Sequence, residues 1–346
     1  ESVIQCNRLA DALEICLRDA DPSDHLNLNG RAALARSLVR ETPVPEEIKL
    51  AIASEYGKLC EMYHPGVDVA VRSSATTEDS ADASFAGQYE SYLNVSGDLD
   101  IIEKWRRCVA SMFTERAIGY HLEHGMHPLD SAIAVVVMKM ARSDKGSSGV
   151  MFTIDPDSGH EGVIHIGSSY GLGELVVQGV VSPDTFTVWK EGLRKDKFPI
   201  VHRTLGSKDQ MMIYHEEAAN EVQTIAVPFE ERRQWSLTRE DCIELARMAL
   251  KIEDYFDKPM DIEWAKDGLS GELFIVQARP ETIHSKAETS KMTVYKIDEV
   301  LTTKLKKEGR LIASGQAVGK RIGTGKVRLY RTYGEVLEGK RELRKL

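Results

Sequence analysis

The chain has 346 residues, 42% of them apolar and 29% charged, with a formal net charge of −9 and a pI near 5.7. This composition excludes a fibre or a disordered tail, and the acidic balance argues against duplex nucleic acid as the main partner, because that contact needs clustered Lys and Arg. Five scattered cysteines without a CxxC spacing give neither a disulfide framework nor a zinc site, and the most apolar run, residues 132–141, is too short to span a bilayer, so a cytoplasmic protein with no membrane partner is expected.

Residues 1–64 read as helical. Ile4, Leu9, Leu13 and Leu17 recur at helical spacing, as do Ile48, Ile52, Leu59 and Met62 after a TPVPEE start, with residues 21–29 as a polar connection. Residues 67–71 predict a short strand ending at Arg72-Ser73-Ser74. A Ser/Thr/Asp/Ala-rich loop then leads to Phe85-Ala86-Gly87-Gln88, and residues 89–95 alternate like a second strand. Small residues allow close backbone approach, and successive N–H groups in such a loop can cradle phosphate oxygens, with Arg72 supplying charge; a solvated polar loop has the same composition.

Residues 100–121 predict one amphipathic helix covering a sheet. His121, His124 and His127 follow at a spacing of three, which drifts around a helix, so they read as surface histidines. Residues 132–140 predict a buried strand whose end, Met138-Lys139-Met140, could also serve as an edge that reads a base through its backbone. Residues 150–154 and 163–166 are further strands. The latter precedes Tyr170-Gly-Leu-Gly-Glu174, where Glu174 could accept from ribose hydroxyls or act as an early-turn acid. Residues 184–190 and 201–214 predict strands, the second carrying Arg203 and a turn at Gly206-Ser207-Lys208, and residues 241–256 a helix capped by Thr238.

Residues 261–281, DIEWAKDGLSGELFIVQARPE, predict two strands around a polar turn. If they pair antiparallel with Glu263 facing Gln277, then Asp261 faces Arg279, and two acids, an amide and a guanidinium share one patch. Acid and amide oxygens suit Mg²⁺, and the planar Arg fork suits phosphate oxygens; an amphipathic hairpin with a surface salt bridge is the plain alternative. Residues 286–307 read as a Lys-rich linker. Residues 315–330 open a Gly-punctuated hairpin of a further domain that the chain does not complete. Neither end reads as a natural boundary, so part of a longer protein is expected.

Arg72-Ser-Ser-Ala-Thr-Thr-Glu-Asp with Ala83-Ser-Phe-Ala-Gly-Gln88, Tyr170-Gly-Leu-Gly-Glu174, Arg203-Thr-Leu-Gly-Ser-Lys208, Asp261-Ile-Glu-Trp264 with Gln277-Ala-Arg-Pro-Glu281, and Gly315-Gln-Ala-Val-Gly319 together resemble the phosphoenolpyruvate synthases. The resemblance implies an α+β fold: an ATP-grasp nucleotide-binding domain of two subdomains over residues 1–285, a linker over 286–308, and the start of a swivelling phosphohistidine domain over 309–346. It implies that Asp261, Glu263 and Gln277 ligate Mg²⁺, and that Arg72 and Arg279 hold the β- and γ-phosphates and stabilise charge as phosphoryl moves. Ser73, Gly87, Gln88 and Gln277 would contact the nucleotide phosphates and metal, Met138, Lys139 and Met140 the adenine, and Glu174 the ribose. Enzymes of this family turn ATP, pyruvate and water into AMP, phosphoenolpyruvate and phosphate through a phosphorylated histidine on the swivel domain, with pyruvate bound by a C-terminal barrel.

The family's Gly-Gly-Lys loop and its Gly-rich histidine segment are not in this sequence, and Met138 stands where many relatives carry Gln. The chain is therefore expected to bind Mg-ATP without completing the synthesis by itself. Pyruvate phosphate dikinase, a dikinase with an antibiotic or glucan acceptor, and a non-catalytic nucleotide sensor are the competing readings; assembly into a homo-oligomer is left open.

Overall fold

The computed structural model describes residues 9–76, 89–215, 217–218, 221–281 and 299–310, and the chain divides into two units, Glu1–Val294 and Tyr295–Leu346. In the first unit, helices α1 (Leu9–Leu17), α2 (His25–Glu41), α3 (Glu46–Met62), α4 (Asp98–Ala110) and α5 (Glu115–Glu123) accompany a three-stranded antiparallel sheet. Its strands are β1 (Val69–Ala75), β2 (Ser91–Val95) and β3 (Ile133–Lys139), in the order β2-β1-β3.

The polar connection expected over residues 21–29 ends early because Asp24 caps α2: its carboxylate accepts from the N–H groups of Leu26 and Asn27 at 3.0 and 3.1 Å. In α3, Ile52 and Leu59 pack on the sheet core as expected, but Met62 is exposed and Tyr56 is the buried side chain. The single helix expected over residues 100–121 is two, separated by a 3₁₀ turn at Ser111–Phe113 and restarted by Thr114, whose hydroxyl accepts from the Ala117 N–H at 3.2 Å.

Strand β1 continues to Ala75, so Arg72 lies within the strand and not at its end. Alternation sends Val69 and Val71 into a core with Tyr56 and Ile101, while Ala70 joins Met138 and Leu172 on the opposite face, the face Arg72 shares. Strand β3 is an edge strand, and over residues 133–137 only one of its faces is covered, which corrects the buried-strand expectation. Val135 and Val137 pack inward, and Val136, paired with Arg72, is 45% exposed.

The second sheet is antiparallel throughout, in the order β11-β10-β4-β5-β6-β7. It comprises β4 (Ser147–Phe152), β5 (Val163–Tyr170), β6 (Asp184–Trp189), β7 (Ile200–Thr204), β10 (Met260–Lys266) and β11 (Leu273–Pro280), while β8 (Gln210–Tyr214) and β9 (Val222–Ala226) form a separate ribbon. Helices α6 (Glu174–Val177), α7 (Lys190–Arg194) and α8 (Phe229–Arg232) are single turns; α9 (Arg239–Phe256) is the long one. A reciprocal capping box of Thr238 and Asp241 starts α9, and Leu245, Ala246, Ala249 and Leu250 then pack with Ile164, Ile166, Ile262 and Trp264 of the sheet.

The turn expected at Gly206-Ser207-Lys208 divides residues 201–214 into β7 and β8, and the two lie in different sheets, not in one strand. Between them, Lys208 is fully buried at φ +41° and its ammonium donates to Asp184 Oδ1 at 2.6 Å and to the carbonyls of Arg232 and Gly206 at 3.0 and 3.2 Å. Asp184 also accepts from the Gly206 N–H and from the Ser236 N–H and hydroxyl, each at 2.8 Å. All three ammonium donors are thus used, which is the condition for burying such a pair. A Cβ at Gly206 would lie 2.3 Å from the Pro183 backbone, so only glycine permits the turn.

In the second unit, α10 (Glu299–Lys307) is helical where the Lys-rich composition suggested a linker, and Lys304, Lys306 and Lys307 stand in its last turn, where cations offset the helix dipole. Gly87, Gln88 and residues 311–346 lie outside the described residues. Among the described residues, no helix is long and apolar enough to cross a membrane.

His121 is not a surface residue: it is fully buried, with Nδ1 2.8 Å from the Ala117 carbonyl and Nε2 2.7 Å from the Ser131 hydroxyl. A carbonyl can only accept, so Nδ1 carries the proton and Nε2 accepts from Ser131. Burial depresses its pKa, so the fold favours the neutral ring; that stability is present above the unfolded value of about 6.5 and is lost as pH falls from there toward the folded value. Urea unfolding of wild type and His121→Gln between pH 7.5 and 5 should show the wild-type advantage shrinking with acid; a constant difference would contradict this account.

Candidate functional site

Strands β10 and β11 pair with Asp261 opposite Arg279 and Glu263 opposite Gln277, the register that the alternation predicts. Beyond Glu263 the ladder shifts, so that Trp264 faces Ile275 and Val276 is an extra residue in a bulge. Arg279 Nε and Nη2 both donate to Asp261 Oδ2, at 2.9 and 2.7 Å. Arg72 reaches the same face from the three-stranded sheet. Its Nη2 donates to Glu263 Oε2 at 3.1 Å and Gln277 Oε1 at 2.5 Å, and its Nη1 to the carbonyl of the bulged Val276 at 3.3 Å.

Five side chains, Arg72, Asp261, Glu263, Gln277 and Arg279, therefore form one charged face where the two sheets meet. Burial pushes the Asp261 carboxyl above the ordinary carboxylate range; Arg279 opposes the rise, and Glu263 and Glu281 add to it. An added cation would relieve that strain. Among the described residues, Asp261 Oδ1 and Glu263 Oε1 accept no hydrogen bond. These are hard oxygen acceptors of the kind Mg²⁺ takes, and Mg²⁺ commonly uses one or two carboxylates together with phosphate and water oxygens. No group of three or more His, Cys, Asp or Glu among the described residues forms a metal cage, so a cation here would draw on Gln277 and on oxygens from outside the protein.

The remaining predicted residues fall unevenly about this face. Met138, paired with Ala70, packs with Leu172, Met212 and Tyr214 on the cleft side of β3. Met140 has its N–H bonded to the Asp68 carbonyl at 3.0 Å and its carbonyl bonded by Lys139 Nζ at 2.9 Å, so its backbone is already engaged. Ser73 follows Arg72 in a regular strand and points to the other face, leaving Ser74 beside Arg72. Glu174 is exposed in the first turn of α6, where the Gln178 amide donates to its Oε1 at 2.9 Å. Of the two glycines before it, Gly171 is at φ +83° and a Cβ there would meet the Met212 carbonyl at 2.6 Å; packing on β8 therefore accounts for that glycine.

Sequence reasoning missed a polar cluster beside Met138. Arg142 grips Asp144 through Nε and Nη2 at 2.8 and 2.9 Å and lies 4.3 Å from the centroid of the Tyr214 ring, whose hydroxyl donates to Asp68. The Arg142 N–H also donates to Asp267 at 3.1 Å. These residues lie on four separate stretches of chain, each ordinary in its local context, so no local pattern marks them.

With this geometry in hand, the class of protein is fixed by comparison. A family described as "Pyruvate phosphate dikinase, AMP/ATP-binding domain" matches residues 1–299, and the chain belongs to that family. It is similar to proteins named phosphoenolpyruvate synthase: 42% identical over 344 residues to that of Synechocystis sp., covering 96% of this chain and 41% of that one. It is 43% identical to that of Aquifex aeolicus, covering 93% and 38%, and 42% identical to that of Escherichia coli, covering 92% and 39%. The chain thus spans about two fifths of the length of these relatives.

Because Arg72 and Glu263 meet with only 21% and 19% side-chain exposure, their contact should carry measurable coupling. A double-mutant cycle of Arg72→Ala and Glu263→Gln, read by urea unfolding, should give an interaction of about 0.5–3 kcal/mol. Strict additivity would contradict the contact.

Proposed function

We propose that this chain is the ATP-binding part of a phosphoenolpyruvate synthase, holding Mg-ATP in an ATP-grasp manner between its two sheets. The carrying observation is the convergence of Arg72, from one sheet, with Asp261, Glu263, Gln277 and Arg279, from the other. The relatives are named phosphoenolpyruvate synthase, and in this reading the full-length enzyme turns ATP, pyruvate and water into AMP, phosphoenolpyruvate and phosphate. Phosphoryl transfer asks a protein mainly for positioning and for stabilisation of developing charge, and these side chains offer both.

Arg72 and Arg279 present planar forks to phosphate oxygens, and both are always charged. Glu263 and Gln277, with Asp261, would hold Mg²⁺, which would offset phosphate charge there. Arg72 covers Glu263 and Gln277 while Arg279 covers Asp261; in this reading each guanidinium exchanges carboxylate for phosphate as nucleotide binds, which frees the acids for the cation. Met138, packed with Leu172 and Met212, forms an apolar floor for adenine. Glu174 contacts the ribose and Gly87 and Gln88 the phosphates, while Ser74, on the same face of β1 as Arg72, takes the place expected for Ser73.

In this reading the phosphoryl group leaves ATP for a histidine on a swivel domain, and pyruvate meets that histidine at a C-terminal barrel, both on the full-length cytoplasmic enzyme. Calorimetric titration with ATP should give binding that requires Mg²⁺, weakened about tenfold or more by Arg279→Ala and by Glu263→Gln. Absence of binding with Mg²⁺ present, or wild-type affinity in both variants, would refute the proposal.

A further inference from the structure

A second cavity lies at the far edge of the six-stranded sheet. Its volume is about 970 Å³, and it is walled by β7, residues 233–239 leading into α9, and Phe198. Four strand spacings separate β7 from β10; at about 4.8 Å each, the cavity stands roughly 19 Å from the hairpin face. The buried Lys208–Asp184 pair anchors it, because Lys208 bonds the carbonyl of Arg232, next to Arg233, and Asp184 bonds Ser236, next to Trp235.

The lining contains Arg203, Arg233, Arg239 and His202 and no Asp or Glu, in a chain whose net charge is −9. Each guanidinium lies over a ring: Arg203 is 4.9 Å from the Trp235 centroid, Arg239 5.3 Å from that of Phe198 and Arg233 5.8 Å from that of Phe229. Among the described residues, none of the three forms an ion pair or donates a hydrogen bond. By contrast Arg72, Arg142, Arg194, Arg247 and Arg279 each hold a carboxylate. Ring stacking restrains a guanidinium plane while leaving its N–H fork open, which lowers the ordering cost of gripping an oxoanion. Cations gathered without a counter-charge repel one another, and a bound anion removes that repulsion.

We propose that this cleft is a second ligand site, separate from the nucleotide face, for a multiply charged oxoanion on a small-molecule framework: a phosphate ester or a polycarboxylate. The three arginines grip its oxygens and Trp235 lies against it. The test titrates the chain at low ionic strength with inorganic tripolyphosphate and, separately, with citrate, reading the fluorescence of Trp235 as the difference between wild type and Trp235→Phe. A saturable change with either anion is expected, the responding anion identifying the ligand's charged group. The change should be weakened about tenfold or more in Arg233→Gln and Arg239→Gln and be unaffected in Arg72→Lys. Both Gln variants remove unpaired side chains, and their thermal unfolding should match wild type. No Trp235 response to either anion, or a response that survives both Gln variants, would overturn the proposal.

Discussion

The Arg72 guanidinium is the contact on which the candidate site depends. Strand β1 stays regular through Ala75, which projects Arg72 from the three-stranded sheet toward the hairpin. The hairpin meets it with a bulge: Val276 is displaced from the ladder and its carbonyl accepts from Nη1, while Glu263 and Gln277 accept from Nη2. A straight ladder would have no extra carbonyl to offer there, and a neutral residue at position 72 would leave Glu263 with no cation in this contact.

Two kinds of ion pair in this molecule show how burial separates structure from binding. Lys208 and Asp184 are wholly buried and every donor on the ammonium is used, so the pair has no capacity to exchange partners and serves to lock β6, the turn at Gly206 and the entry to α9. Arg72–Glu263 and Arg279–Asp261 are each partly open to solvent, with a carboxylate oxygen to spare. Unlike the sealed Lys208, each of these arginines keeps a solvent-facing side, so the proposed exchange of its carboxylate for a phosphate replaces one charge-assisted contact by another. A face built from such pairs carries balanced formal charge, the property on which the proposed exchange with an anion and a cation together rests.

The parts legible in the sequence are those fixed by neighbours along the chain. Alternation alone set Asp261 against Arg279 and Glu263 against Gln277, and Thr238 with an acid three residues on marked the start of α9. What failed depended on distant contacts or on a single cap. Asp24 starts α2 inside an apparently polar connection, and Thr114 divides an otherwise continuous amphipathic pattern. His121 reads as a surface residue until Ser131, ten positions away in sequence, closes over its Nε2. The turn at residues 206–208 is visible in its glycine, but nothing local reveals that Lys208 turns inward to reach Asp184 and that the two halves of residues 201–214 join different sheets. The bulge at Val276 is invisible in composition, and with it the reason that Arg72 fits.

The account turns on whether Arg72 and its hairpin partners form the phosphate and metal face. The most direct measurement is a structure of the chain with Mg²⁺ and a non-hydrolysable ATP analogue. The account predicts Mg²⁺ at about 2.0–2.1 Å from oxygens of Glu263 and Gln277, with the Arg72 guanidinium moved from Glu263 onto a phosphate. A nucleotide bound elsewhere, or bound here with the Arg72–Glu263 contact intact and no metal at those oxygens, would contradict it.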